Sequence, residues 1–170
     1  GVMFTASSVN NMVTVAMALD RYFEIANVPD YWYATSYEEE AGRVEEFARD
    51  NGYELCVSEM VQVDPRSINV QGERFEYSSS VVLAQIGDTK VFDGNGQEIT
   101  RVNDGEIYIS AEIFHSVQND FHIGGKIEIT SEGKTKEFTL KGFTKDALFG
   151  SSMMGMTRFL VSDNDRHFFE

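Results

Sequence analysis

The chain of 170 residues has a single cysteine, Cys56. One thiol excludes an internal disulfide framework and any metal site built from several cysteines. It stands in Tyr53-Glu-Leu-Cys-Val57, read as part of a strand, where a small buried side chain is the expected role. Basic residues are also scarce: 14 Lys and Arg stand against 28 Asp and Glu, a formal net charge of −14. Affinity for a phosphate backbone comes from clustered cations that neutralise it, so this balance argues against nucleic acid as a partner. Anionic lipid head groups are repelled for the same reason, and the acidity otherwise serves solubility. No run approaches the ~20 apolar residues of a membrane span, and no basic segment followed by an apolar one opens the chain.

Signatures of catalysis are missing as well. There is no Gly-x-Ser-x-Gly, and no basic partner is indicated for Cys56. None of Gly94, Gly96, Gly124 and Gly125 opens a helix after a strand at the spacing of a phosphate-binding loop, so no nucleotide cofactor is expected. His115, His122 and His167 fall in no metal or catalytic signature. His115 and His122 can share a helical face, yet no third ligand accompanies them. Asp93-Gly-Asn-Gly-Gln-Glu98 starts like a calcium loop, but an EF-hand needs Gly where Glu98 stands and Glu where Asp104 stands. A hairpin loop fits its turn composition better. The acids of Glu38-Glu39-Glu40 and Asp163-Asn-Asp165 sit at predicted helix starts, where they complement the dipole. No catalytic, cofactor-binding or metal residue is assigned, and the chain is read as non-enzymatic.

What the sequence does contain is clearest over residues 105–161. Glu106-Ile-Tyr-Ile-Ser110 alternates as a strand, and the following Ala111 to Phe121 puts Ile113, Phe114, Val117 and Phe121 on one helical face. Gly124-Gly125 stops that helix. Lys126-Ile-Glu-Ile-Thr130 and Lys136-Glu-Phe-Thr-Leu-Lys-Gly-Phe143 alternate on either side of Ser131-Glu-Gly-Lys134, the composition of a tight hairpin turn. Thr157-Arg-Phe-Leu-Val161 is a last strand, and Ser162-Asp-Asn-Asp165 reads as a helix start.

Upstream, Val9, Met12, Val13, Ala16, Leu19 and Phe23 recur at helical spacing and predict an amphipathic helix over residues 8–26. Tyr31-Trp-Tyr-Ala-Thr35 is an aromatic-rich strand. Ser36-Tyr-Glu-Glu39 is a capping box for a helix that runs to Asp50, where Asn51-Gly52 suits a left-handed C-terminal cap. Tyr53 to Val63 is the return strand. Short extended pieces between Asp64 and Asp104, separated by Gly-containing turns, predict a small β-rich lobe that packs mainly on itself.

The order from the Ser110 strand through Gly124-Gly125, Lys126-Ile-Glu-Ile129, the hairpin, Phe138-Thr-Leu-Lys-Gly-Phe143, Asp146 and Phe159-Leu-Val-Ser162 resembles the extracytoplasmic domain of FtsX-like, MacB-type ABC transporter permeases. The resemblance implies an α+β fold in which two strand-helix-strand units form a porter-like α/β sandwich, residues 27–63 and 105–161. It implies an inserted β-rich, Sabre-like lobe over 64–104, a stalk-like helix over 1–26 and the start of a second stalk helix over 162–170. Both ends then continue into membrane helices, and the domain lies on the extracellular or periplasmic side. The implied partners are the transmembrane part of the same permease, a cytoplasmic ATPase acting through it, and an accessory protein or a peptide or lipid substrate. Family members handle peptides, lipoproteins, antibiotics or cell-division signals. From another class, a free-standing secreted or periplasmic ligand-binding module also fits the pattern.

One segment invites a contact role. Ser151-Ser-Met-Met-Gly-Met156 lies where a loop between strands is expected, and the flexible thioethers of Met153, Met154 and Met156 suit an adaptable partner surface. A mobile loop whose methionines fold back on the core is the plainer reading.

Overall fold

The computed structural model describes residues 26, 38–53, 59–87, 89–116, 118–145 and 156–170. The chain divides into two compact units, Gly1–Val57 and Ser58–Glu170. The first contains helix α1 (Glu38–Asp50). The second runs through β1 (Met60–Val63), a 3-10 turn (Pro65–Ser67), β2 (Ile68–Val70), β3 (Glu73–Arg74), β4 (Ser80–Ala84) and β5 (Phe92–Asp93). It continues with β6 (Glu106–Ser110), helix α2 (Ala111–Ser116), β7 (Lys126–Ser131), β8 (Lys134–Lys145), β9 (Met156–Leu160) and helix α3 (Asp163–Phe168). The fold is mixed α+β, a large mixed sheet with few helices.

Helix α1 ends as its sequence predicts. Gly52 adopts φ +69°, the Tyr53 amide donates to Ala48 O at 2.9 Å, and the Gly52 amide donates to Arg49 O at 3.3 Å. This is a Schellman cap, and Tyr53 completes it by packing on Phe47 with ring centroids 6.1 Å apart. Ser36 of the predicted capping box, the Tyr31 strand and residues 54–58 with Cys56 lie outside the described residues. Of the predicted helix over 8–26 only Ala26 is described, and it is helical.

In the second unit the strands form one sheet in the order β1-β4-β9-β6-β8-β7-β2-β3, with β5 pairing on β8. Two hairpins are closed by turns with consecutive positive φ, Glu132 (50°) with Gly133 (76°) and Gln71 (52°) with Gly72 (80°). That is the type I′ geometry whose twist matches the flanking strands. The pairs β6·β8 and β4·β9 are parallel and the remaining neighbours antiparallel. Residues 64–104 are therefore not a lobe packed on itself, as expected from their short pieces, but part of the common sheet: β2 pairs with β7, β4 with β9 and β5 with β8. Strands of two to five residues bury too little to stand alone, whereas pairing with longer strands satisfies their amides and covers their apolar side.

Alternation decides which face is covered. Ile68, Val70, Val81, Leu83, Ile107, Ile109, Ile127, Ile129, Phe138 and Phe159 point to one side and join a single buried cluster with Ile113 from α2 and Phe169 after α3. Burying one such side chain stabilises by about 2 kcal/mol. On the opposite face Lys126 meets Thr139 (2.9 Å) and Glu137 (3.7 Å), and Lys141 meets Glu106 (3.7 Å). Exposed ion pairs contribute only about 0.2–1 kcal/mol, so the apolar face, not this ladder, holds the register.

Helix α2 is shorter than its apolar spacing predicts. Ile113 is buried, Phe114 is 49% exposed, and Phe121 turns inward onto Phe75 with centroids 5.7 Å apart, edge to face. Asn119 explains the departure: its side chain donates to Arg74 O (2.9 Å) and accepts from the Glu76 amide (3.1 Å). It supplies backbone partners beside edge strand β3, a tertiary contact that outweighs helix propensity.

Gly125 sits where the chain re-enters the sheet. A Cβ there would lie 2.7 Å from Gln71 Nε2 and 2.9 Å from the His122 carbonyl oxygen. The glutamine can move, but the backbone oxygen is tied by the 2.9 Å bond from the Gly125 amide itself. Gly125→Ala is expected to destabilise the fold by about 1–3 kcal/mol, read as a lower midpoint in urea. A change below about 0.5 kcal/mol would show that the loop relaxes freely.

Candidate functional site

Among the described residues, the segments singled out in the sequence do not converge. Met153 and Met154 lie outside the described residues, and Met156 opens β9 opposite Ser80 of β4, half-buried. The Asp93 loop is a hairpin: Asp93 Oδ1 accepts from the amides of Asn95 (2.8 Å) and Gln97 (2.9 Å), and Phe92 bridges to Glu98. Its carboxylate is thus occupied by its own turn. His122 is exposed, 3.1 Å from Gln71 Nε2 and 3.2 Å from Asp120. His115 belongs to α2, and its side chain is not among those described. Among the described residues no three His, Cys, Asp or Glu side chains are grouped to hold a metal.

An open cleft of about 420 Å³ lies beside β1, lined by Gln62, Val63, Asp64, Pro65 and the run Ser78-Ser79-Ser80. Asp64 caps the 3-10 turn by accepting from the Arg66 amide (2.9 Å), and both its oxygens take the Arg66 guanidinium, Nε at 3.0 Å and Nη2 at 2.7 Å. The side-chain hydrogen bond from Arg66, helped by the backbone one, draws the Asp64 carboxyl down to about 2. Asp64 is the carboxylate among the lining residues, and both of its oxygens are taken by Arg66.

The densest polar arrangement is one that the sequence reading passed over. Ser162 caps α3 as predicted, its Oγ accepting from the Asp165 amide at 3.1 Å. Asp165, however, faces inward and is fully buried, and Arg166 beside it is 1% exposed. Asp165 Oδ2 accepts from the Gly105 amide at 2.7 Å, and Oδ1 is paired with Lys136. Arg166 Nη2 reaches Glu59 (2.8 Å) and Asp163 (3.3 Å), and Nη1 pairs with Glu170. His167 Nδ1 lies 2.7 Å from Glu170 Oε2, and Lys134 Nζ donates to the Glu170 carbonyl at 2.6 Å. A signal existed: Ser162, Asp165, Arg166 and Phe169 share one helical face, so a buried Phe169 carries the two charges inward with it.

Residues 162–170, expected as the start of a second stalk helix, contain α3 and lie against the sheet. Phe169 is buried, with Phe138 at 6.3 Å and Phe168 at 5.0 Å between centroids. Among the described residues, the large exposed apolar side chains of the second unit are Phe114, edge-on to Phe143 at 5.1 Å, Ile123 at 60% exposure and Phe168 at 39%. No family model matches the chain, and no curated protein matches it significantly.

Titration of the Asp64 carboxyl by NMR is expected to give a pKa of about 2, and Arg66→Met to return it toward 3.8. Because the folded value is the lower one, the contribution of this pair to stability is full above the ordinary value and disappears as pH falls toward the folded one. An Asp64 value near 3.8 in the unmodified chain would show that the Arg66 fork is not held in solution.

Proposed function

We propose that the chain is a non-catalytic extracellular or periplasmic domain of an FtsX-like, MacB-type ABC permease, which couples ATP-driven motion of membrane helices to the handling of a substrate or accessory protein. The observation that carries this reading is the order of the described elements between residues 105 and 161. The strand, the Ser110-led helix, the Gly124-Gly125 turn, the hairpin and the last strand follow one another in the order on which the resemblance rests. In this reading the porter-like body includes residues 64–104, because β2, β4 and β5 are hydrogen bonded into the same sheet. Met153, Met154 and Met156 are proposed as the contact for a partner, with the transmembrane part of the permease and its ATPase as the driving elements.

A chemical role has less behind it. Asp165 is taken by Lys136, Arg166 by Glu59, Asp163 and Glu170, the Asp93 carboxylate by its turn, and the carboxylate beside the cleft serines, Asp64, by Arg66. A domain that works by position needs a stiff sheet more than a reactive group.

The test is accessibility in cells that express the parent gene. With Cys56→Ser as background, a cysteine introduced at Glu132, in an exposed turn, is expected to react with a membrane-impermeant maleimide in intact cells. The protein should also co-purify with an ATPase from the membrane fraction. Labelling only after lysis would overturn the extracytoplasmic assignment. Labelled protein recovered without any membrane attachment would favour the secreted binding module instead.

A further inference from the structure

Asp and Arg are almost never fully buried unless paired, because removing either charge from water costs several kcal/mol. Adjacent residues Asp165 and Arg166 are both buried, on a helix of six residues. So short a helix does not hold itself, and most of its stability must come from contacts with the sheet. Its apolar anchor is Phe169, with Phe168 39% exposed. The remaining attachment is ionic, and it reaches places far apart in sequence: the Gly105 turn before β6, Lys136 of β8 and Glu59 ahead of β1. Asn164 adds a 3.1 Å bond to Asp104 beside that turn.

We propose that residues 162–170 form an ion-locked latch, a segment that leaves the sheet as a unit when its charge pairing is broken while the strands stay paired. The lock has an inner and an outer part. Asp165 with Lys136 and the Gly105 amide is enclosed, whereas the carboxylates around Arg166 reach solvent: the side chains of Glu59, Asp163 and Glu170 are 67%, 60% and 45% exposed. Losing those outer partners leaves a guanidinium buried without compensation, the condition under which burial becomes strongly unfavourable. Arg166 already carries one cost of this kind, since its buried Nε–H finds no acceptor. The strands depend on charge less, although Arg158 of β9 is buried too. Apart from Lys136, their inner face is dominated by apolar side chains, and their amides are paired within the sheet.

Acid is therefore a means of release. The hydrogen bond from His167, with the Arg166 charge, holds the Glu170 carboxyl below its ordinary value, and bonds from Ser162 and Asn164 do the same for Asp104, near Lys136 and Arg101. Both folded values are lowered, so their contribution is present above the ordinary carboxylate range and lost as pH falls through the lowered values. The other charged groups facing the latch are Glu59, Asp163, His167, Lys134 and Lys136. The latch is independent of the permease reading, since it concerns contacts within the chain.

Native-state hydrogen exchange on the intact chain at pH 7 tests it, with Lys136→Met, Asp165→Asn, their double variant and Glu59→Gln. Amides of residues 163–170 and Gly105 are expected to exchange at least about tenfold faster in Lys136→Met and Asp165→Asn, with residues 126–140 changed less than about threefold. The double variant should fall short of the product of the two single effects, the mark of a direct coupling. Glu59→Gln, a change at an exposed carboxylate, should give the same pattern at smaller amplitude and keeps the test informative if the buried variants do not fold. Lowering the pH below the ordinary carboxylate range, into the window where the lowered Glu170 and Asp104 values titrate, should reproduce the pattern in the unmodified chain after correction for intrinsic exchange. Equal acceleration of latch and strands, or none in either, would overturn the proposal.

Discussion

Strand β8 is hydrogen bonded to three others, and the rest of the sheet is assembled outward from it. It runs parallel to β6 on one side and antiparallel to β7 and β5 on the other. A bulge between its pairings with Ile107 and Tyr108 makes this possible. Before the bulge Phe138 and Leu140 face the core; after it Phe143 does, opposite Ile109, and Gly142 lies beneath the Tyr108 ring. Without the extra residue, strict alternation would turn Phe143 outward and aim Gly142 and Thr144 at the core. One inserted residue thus keeps the apolar side chains of a twelve-residue strand, Phe138, Leu140 and Phe143, on the same side.

The charges divide by depth. On the open face Glu128 stands opposite Glu137, a like pair that Asn69 and Lys126 relieve. Such exposed contacts each matter little. Under α3 the same kinds of group are enclosed and decide whether a segment stays attached, because an uncompensated buried charge is costly in a way that a solvated one is not. For a domain proposed to transmit movement, this division is useful. The sheet is held mainly by apolar burial, and the last segment in large part by charge, which is weakened as pH falls below the ordinary carboxylate range.

Much of the second unit, and the end of α1 in the first, was legible in advance. The β7–β8 hairpin, the β6 strand, the Ser162 cap and the Asn51-Gly52 cap all rest on local rules: alternation, a turn that needs positive φ, a side-chain acceptor for a free amide. The errors lie where a distant partner overruled the local pattern. Phe121 continues the apolar stripe of α2 but packs on Phe75, and Asn119 serves a strand more than forty residues away in sequence. The candidate site was legible only in part, since Ser162 announced a helix but the acids after it looked like ordinary first-turn residues.

What the sequence by itself determined is each strand's apolar side and the places where the chain turns, because side-chain alternation and left-handed backbone are properties of neighbouring residues. Which strands lie side by side was decided only in the tertiary structure. The short strands of residues 64–104 carry no address for β7, β8 or β9. They find them because those strands offer unpaired amides and an apolar face to extend. The buried pair Asp165 and Arg166 belongs to the same class: a charge is indistinguishable in sequence from any solvated one, and only the fold that brings Gly105, Lys136 and Glu59 around it removes the water.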